Sequence, residues 1–166
     1  MWSKSRRAAF WIYTWWPVAL AIGIIMLEST EMLGADHTSG PLRHFFETLL
    51  GRIRDETWEI VHHIIRKTGH FVGYGLVGFT WFRAWWRTLP SSSFLRCFVL
   101  SVLGTFLIAG ADEWHQSFLP NRGGKFSDVL LDCSGAVALL SVTYLVLRVF
   151  HYRGLLLRKA ASRSRG

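Results

Sequence analysis

The chain has 166 residues, of which 51% are hydrophobic and 15% aromatic, with nine Trp. This length suits one domain, and such an apolar and aromatic content is typical of a membrane protein and effectively excludes a soluble metalloenzyme. The formal net charge of +8 is common among nucleic-acid-binding proteins, but the positions of the charges, described below, argue against nucleic acid as a partner.

Four apolar segments follow one another along the chain, each close to the roughly 20 residues that a membrane-spanning helix needs. Trp and Tyr cluster at several of their ends, as in interfacial aromatic belts. We therefore predict an all-α fold, a polytopic membrane helix bundle with about four transmembrane helices plus an amphipathic interfacial segment. The four segments are residues 10–27, 70–86, 94–111 and 129–150.

The first segment follows Lys4, Arg6 and Arg7, so a cleaved signal peptide is an alternative to a membrane helix. Its apolar run is longer than that of an ordinary signal peptide. The sequence after it, MLESTEMLGADH, contains no clear small-x-small cleavage site. We therefore expect an uncleaved helix.

The long connection at residues 28–66 repeats apolar residues at helical spacing, with mixed charges between them. One interpretation is one or two amphipathic helices that lie on the outer interface of the membrane that the bundle spans, broken at Gly51. A plain connector packed on the bundle is the alternative.

Lys and Arg are unevenly distributed between the two sides of the predicted bundle. If the N-terminus is cytoplasmic, most of the 19 basic residues lie on the inner side, and the positive-inside rule selects this orientation. All 11 acidic residues then lie on the outer side, where we expect the chemistry. We predict cytoplasmic N- and C-termini, one transmembrane domain over residues 1–150, and a basic tail at 151–166 that contacts anionic lipid.

Two cysteines, Cys97 and Cys133, are too few for a disulfide framework. The predicted topology separates them by roughly 30 Å of hydrocarbon, far beyond the reach of a disulfide. We expect both to be packing residues.

The stretch IIRKTGHFVGYGLVGF opens the second apolar segment with charged residues. Lys67, His70 and Tyr74 are three and four residues apart, so they share one helix face, and Arg66 lies beside it. One interpretation is a binding face. The alternative is that the two cations extend to lipid headgroups and that His70 only packs.

Two glycines in the same stretch, Gly69 and Gly73, have the small-xxx-small spacing that permits close helix packing. We expect another helix to approach them closely.

The stretch DEWHQSFLPNRGGKFSD joins the third and fourth segments. Asp112, Glu113 and Gln116 share one face if the third helix continues through them. The turn-rich loop that follows presents Arg122 and Lys125. Asp128 then opens the fourth helix, with Ser127 or Asp128 itself as the predicted cap.

Asp132 lies one turn inside the fourth segment. A carboxylate within a transmembrane helix is energetically costly, so it indicates a functional site and needs a partner. The candidates are Arg122, Lys67 and His70. The alternative is an ion-paired network that only stabilises the bundle.

Together, these polar blocks resemble the VanZ-like family of small membrane proteins, over roughly residues 10–150. The chain departs from the family pattern at Asn121, where Gly is frequent, and at Leu139, where a second small residue is frequent. Some members carry Asn at the position of Asp132. The matching motifs are Arg66-Lys67-x-x-His70-Phe71-x-x-Tyr74, Asp112-Glu113-x-x-Gln116-x-Phe118-x-Pro120-x-Arg122 and Asp128-Val129-x-x-Asp132-x-x-Gly135.

The resemblance implies a multi-pass protein of the bacterial cytoplasmic (inner) membrane. The member that gives the family its name is associated with low-level resistance to a glycopeptide antibiotic, teicoplanin. The resemblance assigns no catalytic residue and does not make this chain a resistance protein.

We predict an integral membrane protein of the cell envelope, with a polar site at its extracytoplasmic face that binds a lipid headgroup, a cell-wall precursor or a glycopeptide-type antibiotic. The expected partners are membrane lipids and not nucleic acid, and the oligomeric state is open. The predicted binding residues are Arg66, Lys67, His70, Tyr74, Asp112, Glu113, Gln116, Arg122, Asp128 and Asp132.

The alternative is an enzyme that acts on a lipid-linked phosphate at the outer leaflet, with His70, Asp128 and Asp132 as candidate catalytic residues. No established phosphatase or transferase motif supports it. The spacing of potential metal ligands is not diagnostic, so we assign no metal and no cofactor. A transporter is a third reading, which four helices would support only as an oligomer.

Overall fold

The computed structural model describes residues 4–30, 35–89, 91, 93–119 and 123–163, with residues 35–37 and 152–163 described by their backbone alone. Within these ranges the chain forms five helices and no strand, which confirms the all-α prediction. The helices are α1 (Lys4–Glu28), α2 (Ala35–Leu50), α3 (Asp55–Thr88), α4 (Phe94–Gln116) and α5 (Phe126–Arg163).

Three of these helices are long and apolar enough to cross a membrane: α1, α4 and the Phe126–His151 part of α5. This finding confirms a helical membrane bundle. The predicted second span, residues 70–86, forms the C-terminal half of α3, and α3 is not among the three. Its apolar part is short and contains His70 and Arg83, which lower its hydropathy. The fourth span stays a prediction.

The central helix of the bundle is α3, which packs against α1, α4 and α5. Near its C-terminal end, Arg83 Nη1 donates a hydrogen bond to the carbonyl of Thr14 in α1, at 3.1 Å. Nearer its N-terminal end, Lys67 pairs with Asp128 in α5. A helix with neighbours on several sides needs less apolar surface than one that faces lipid all round, which accounts for the mixed composition of α3.

The tightest helix contact joins α3 to α5 through small residues. A Cβ atom on Gly135 would collide with the backbone carbonyl of Phe71, and one on Gly78 would collide with the side chain of Ala136. The close approach therefore depends on glycine at both positions.

The predicted contact at Gly69 and Gly73 is wrong for the residues that the structure describes, since none of them places an atom of another helix within 4 Å of a Cβ built on either glycine. The buried face of α3 is the one that carries Tyr74 and Val77. Gly75, on this face, lies against Gly135 of α5.

The connection between α2 and α3 turns at Gly51, whose φ of 83° lies in the left-handed region that favours glycine. The predicted break at Gly51 is confirmed. The second amphipathic stretch is not a separate helix, because residues 55–66 are the first turns of α3. The interfacial position of α2 stays a prediction.

Polar contacts hold α2 against the start of α3. Trp58 Nε1 donates to Ser39 Oγ at 2.7 Å, and Arg43 pairs with Asp55 at 2.7 Å. The backbone N–H of Ile53, followed by the guanidinium of Arg43, lowers the pKa of the Glu47 carboxyl. These contacts fix the angle at which the chain enters α3.

Apolar packing surrounds the polar end of the bundle. One buried cluster joins Tyr74 and Val77 of α3 to Ala109 of α4 and Val129 of α5. Both cysteines are free thiols, as predicted, and Cys97 is fully buried in a second cluster nearer the other end.

Candidate functional site

The N-terminal half of α3, the end of α4 and the start of α5 converge on a cavity of about 250 Å³. Polar residues line most of it. Seven of the ten predicted binding residues lie there: Arg66, Lys67, His70, Glu113, Gln116, Asp128 and Asp132. The structure therefore brings together side chains that are more than 60 residues apart in the sequence.

Two pairs of opposite charge join α3 to α5 along this cavity. Lys67 Nζ donates a hydrogen bond to Asp128 Oδ1, and both side chains are partly exposed. One turn deeper, His70 Nδ1 lies 3.5 Å from Oδ1 of Asp132, which is fully buried. His70 is therefore in contact with Asp132, as predicted, while Lys67 pairs with Asp128. Arg122, the third predicted partner, lies outside the described residues.

A third polar layer lies behind His70. The buried phenol of Tyr74 donates to Asp112 Oδ2 at 3.0 Å, and Gln116 Nε2 donates to the same oxygen at 3.0 Å. The ring of His70 stacks on Tyr74 with 6.1 Å between centroids. Tyr74 and Asp112 therefore support His70 from behind and do not line the cavity, although both were predicted to bind the ligand.

The predicted continuation of the third helix is confirmed, because α4 runs to Gln116. Asp112, Glu113 and Gln116 are all buried, with 6–7% of their surfaces exposed. Burying two carboxylates in one helix turn costs free energy, which the hydrogen bonds to Asp112 and Glu113 partly offset.

Some buried carboxylate oxygens remain without a hydrogen bond within the described residues. They are both oxygens of Asp132 and Oδ1 of Asp112. The 3.5 Å separation between His70 and Asp132 exceeds an ordinary N–H···O distance, so it is an electrostatic contact. Asp132 thus retains the capacity to accept a hydrogen bond when a donor approaches.

The loop before α5 closes one side of the cavity. The backbone N–H of Lys125 donates to Glu113 Oε2 at 2.8 Å. A Cβ atom on Gly124 would overlap the backbone carbonyl of Glu113, so only glycine permits this close approach. Glu113 thereby anchors the loop to α4.

The start of α5 differs from the prediction. The helix begins at Phe126, and the N–H of Asp128 donates to the carbonyl of Lys125 at 2.8 Å. Ser127 and Asp128 are therefore inside the helix, and neither is its cap. Asp128 stands in the first turn, where the positive end of the helix dipole favours a carboxylate.

Lys125 is a cavity residue that the predicted binding set omitted. Its ammonium group makes no ion pair with any residue that the structure describes. The signal in the sequence is Gly123-Gly124, which directs the chain back toward α4. Arg122, which was predicted to bind, lies outside the described residues, and its role stays a prediction.

A second cavity of about 280 Å³ lies beneath α2 and shares Arg66 and His70 with the first. His62 lines it, and the Nε2 atom of His62 is 3.4 Å from Thr38 Oγ1 in α2. Burial and then the positive charge of Arg66 lower the pKa of His62. Thus α2 covers one side of the polar site through contacts of its own.

No group of three or more His, Cys, Asp and Glu side chains is arranged to hold a metal ion in the ranges described. The acidic residues are instead distributed among basic and amide partners. We assign no metal ligand.

The comparison with protein families gives a match over most of this chain. A family model described as VanZ/LLP1 matches residues 10–148. This range nearly coincides with the residues that carry the resemblance in sequence. Neither the curated proteins nor the solved structures gave a match.

Proposed function

The chain belongs to the VanZ/LLP1 family, and we propose that its polar cavity is an extracytoplasmic site that binds the anionic headgroup of a membrane lipid or a lipid-linked cell-wall precursor. The observation that carries this proposal is the convergence of Arg66, Lys67 and Lys125 on one cavity at the ends of three helices. Cations grouped in a partly enclosed site bind phosphate or carboxylate groups by charge-assisted hydrogen bonds.

The acidic residues of the cavity tune this binding. Asp128 holds Lys67 in place, and the buried Asp132 faces His70. Hydroxyl or amino groups on the headgroup would donate to these carboxylates, while its anionic group contacts Lys125 and Arg66. A mixed lining of this kind favours a polar headgroup over a bare inorganic anion.

The size of the cavity favours a headgroup over a glycopeptide-type antibiotic. At about 250 Å³, it falls just below the roughly 300–1,000 Å³ of sites that enclose drug-sized ligands. A glycopeptide would have to bind at its rim. We therefore give the headgroup first place among the three ligands that the sequence suggested.

We also propose a bacterial cytoplasmic membrane as the location, with both termini cytoplasmic. The cations at the opposite end of the bundle support this orientation, since Arg83 and Arg87 lie over the ring of Tyr13 at 5.3 and 5.0 Å. The positive-inside rule assigns that end to the cytoplasm, and the polar cavity then faces outward.

The test is lipid binding by purified wild-type protein and by Lys125→Gln, measured by native mass spectrometry with dioleoyl phosphatidic acid. Loss of one charge-assisted contact should weaken binding about tenfold or more. Arg52→Gln is the matched control, because Arg52 is exposed and does not line the cavity. Equal affinity in all three proteins would contradict the proposal.

One observation favours a second function, hydrolysis of a lipid-linked phosphate ester. His70 lies beside the buried carboxylate of Asp132, and a carboxylate that orients an imidazole is the arrangement of a general base. His70 would take a proton from water as the water oxygen bonds to phosphorus. The bond between phosphorus and the lipid oxygen would break, and the protonated His70 would give its proton to that oxygen, so the lipid leaves as an alcohol.

This second function is tested by phosphate release from dioleoyl phosphatidic acid, with and without Mg²⁺. Release by the wild type that His70→Gln abolishes, with lipid binding retained, would support catalysis. Binding without release by the wild type would leave headgroup binding as the function.

A further inference from the structure

An apolar groove of about 380 Å³ runs between α4 and α5 beside the polar cavity. Phe106, Gly110 and Trp114 of α4 line one wall, and Phe126 and Val129 of α5 line the other. Glu113 and Lys125 line both the groove and the polar cavity. The groove and the polar cavity therefore adjoin at these two residues.

We propose that this groove holds a hydrocarbon chain of the same molecule whose headgroup occupies the polar cavity. The ligand is then a lipid with an anionic headgroup that enters sideways from the bilayer. This inference rests on the proposed function and adds the substrate class and its route of entry.

The groove is positioned to contact lipid. Both helices that form it are long and apolar enough to span a membrane. Two of its aromatic residues, Trp114 and Phe126, have 69% and 67% of their surfaces exposed. Exposed aromatic surface beside a charged site is characteristic of the membrane interface, where an apolar body and a polar group are both accommodated.

Charge complementarity places the headgroup end of this lipid at Lys125. This lysine stands where the apolar groove meets the polar cavity, and its ammonium has no ion-pair partner in the described ranges. A phosphate at this junction would contact Lys125 and have its chain in the groove.

Gly110 gives a direct test, because it lines the groove and, among the described residues, no neighbouring atom lies within 4 Å of a Cβ built on it. A side chain introduced here therefore starts in open space on the wall of the groove. Gly110→Phe is the blocking variant, and Gly110→Ala is its matched control. A thermal melt of each variant confirms that the fold is retained.

The readout is native mass spectrometry of dioleoyl phosphatidic acid binding, followed by competition with sn-glycerol 3-phosphate, which has the headgroup and no chain. Gly110→Phe should weaken lipid binding about tenfold or more. A loss of this size is expected when about two methylene groups of the lipid chain lose their apolar contacts in the groove. Gly110→Ala should bind like the wild type. The affinity for glycerol phosphate derived from this competition should fall in Lys125→Gln and be unchanged in Gly110→Phe.

The outcomes separate the two proposals. Unchanged lipid affinity in Gly110→Phe, with loss in Lys125→Gln, would overturn the groove and keep the headgroup site. Unchanged affinity in both variants would overturn both. Equal affinity of the wild type for glycerol phosphate and for the lipid would also overturn the groove, because the chain would then contribute nothing.

Discussion

The phenol of Tyr74 donates a hydrogen bond to the buried carboxylate of Asp112 at 3.0 Å, directly behind the polar cavity. This bond joins α3 to α4 and supports the ring of His70, which stacks on Tyr74. Gln116 donates to the same carboxylate oxygen from one turn further along α4. The arrangement holds His70 against the opposite wall, where Asp132 of α5 lies.

Tyr74→Phe should therefore lower the stability of the bundle. The substitution leaves Asp112 with one donor in place of two among the described residues, and the expected loss is about 1–3 kcal/mol. Reversible unfolding in detergent measures it. Tyr144→Phe is the control, because Tyr144 accepts a bond from Arg148 near the other end of α5, and its loss should change little. Equal effects of the two substitutions would contradict the assigned role of Tyr74.

His70 and Asp132 should be energetically coupled. Removing His70 leaves the fully buried carboxylate of Asp132 without its nearby imidazole, so His70→Ala should be costly while Asp132 is present. In the Asp132→Ala background the same change should cost less. The double-mutant cycle should give a coupling free energy of about 0.5–3 kcal/mol. Additive effects would show that the two side chains do not interact.

Gly135→Ala tests the close contact between α3 and α5. The added methyl group would collide with the carbonyl oxygen of Phe71. This oxygen belongs to the helix backbone, so it cannot move aside as the end of a flexible side chain can. We expect a loss of about 1–3 kcal/mol in stability, as for other overpacked cores. Gly73→Ala is the matched control, because that position is open and alanine has the higher helix propensity. A loss for Gly73→Ala as large as that for Gly135→Ala would contradict the contact.

Acidification should weaken the docking of α2 on α3. The pKa of His62 is lowered in the folded chain, first by burial and then by Arg66, so the undocked state takes up a proton first. The stability of the docked state therefore does not depend on His62 when the pH is well above the usual histidine pKa of about 6.5. It decreases as the pH falls through that value.

Hydrogen exchange of the α2 amides, corrected for the intrinsic rate, measures this loss between about pH 7.5 and about pH 5.5. His62→Gln should remove the pH dependence. His44→Gln should retain it, because His44 is exposed on α2. The same pH dependence in His62→Gln as in the wild type would rule out His62 as the responsible group.

Much of the fold follows from periodicity and hydropathy. The spacing of Lys67, His70 and Tyr74 requires one helix face, and the break at Gly51 follows from its conformational freedom. Which glycines of α3 pack against α5 did not follow from the sequence. Small residues occupy two faces of α3, and spacing alone does not identify the face that meets α5.

The composition of the site was more predictable than its contacts. Which cation pairs with which carboxylate depends on the register between α3 and α5, and no local pattern encodes this register. Asp132 had three candidate partners in sequence, and of the two that the structure describes, His70 is in contact with it and Lys67 pairs with Asp128. Lys125 was absent from the predicted set because its position depends on how closely Gly124 approaches Glu113.

The central claim is that the polar cavity binds an anionic lipid headgroup. The most direct measurement is the ratio of wild-type affinities for dioleoyl phosphatidic acid and dioleoyl phosphatidylcholine, which share their chains and differ in headgroup charge. The account predicts a preference of about tenfold or more for phosphatidic acid, which Lys125→Gln should reduce. Equal affinity for the two lipids would contradict it.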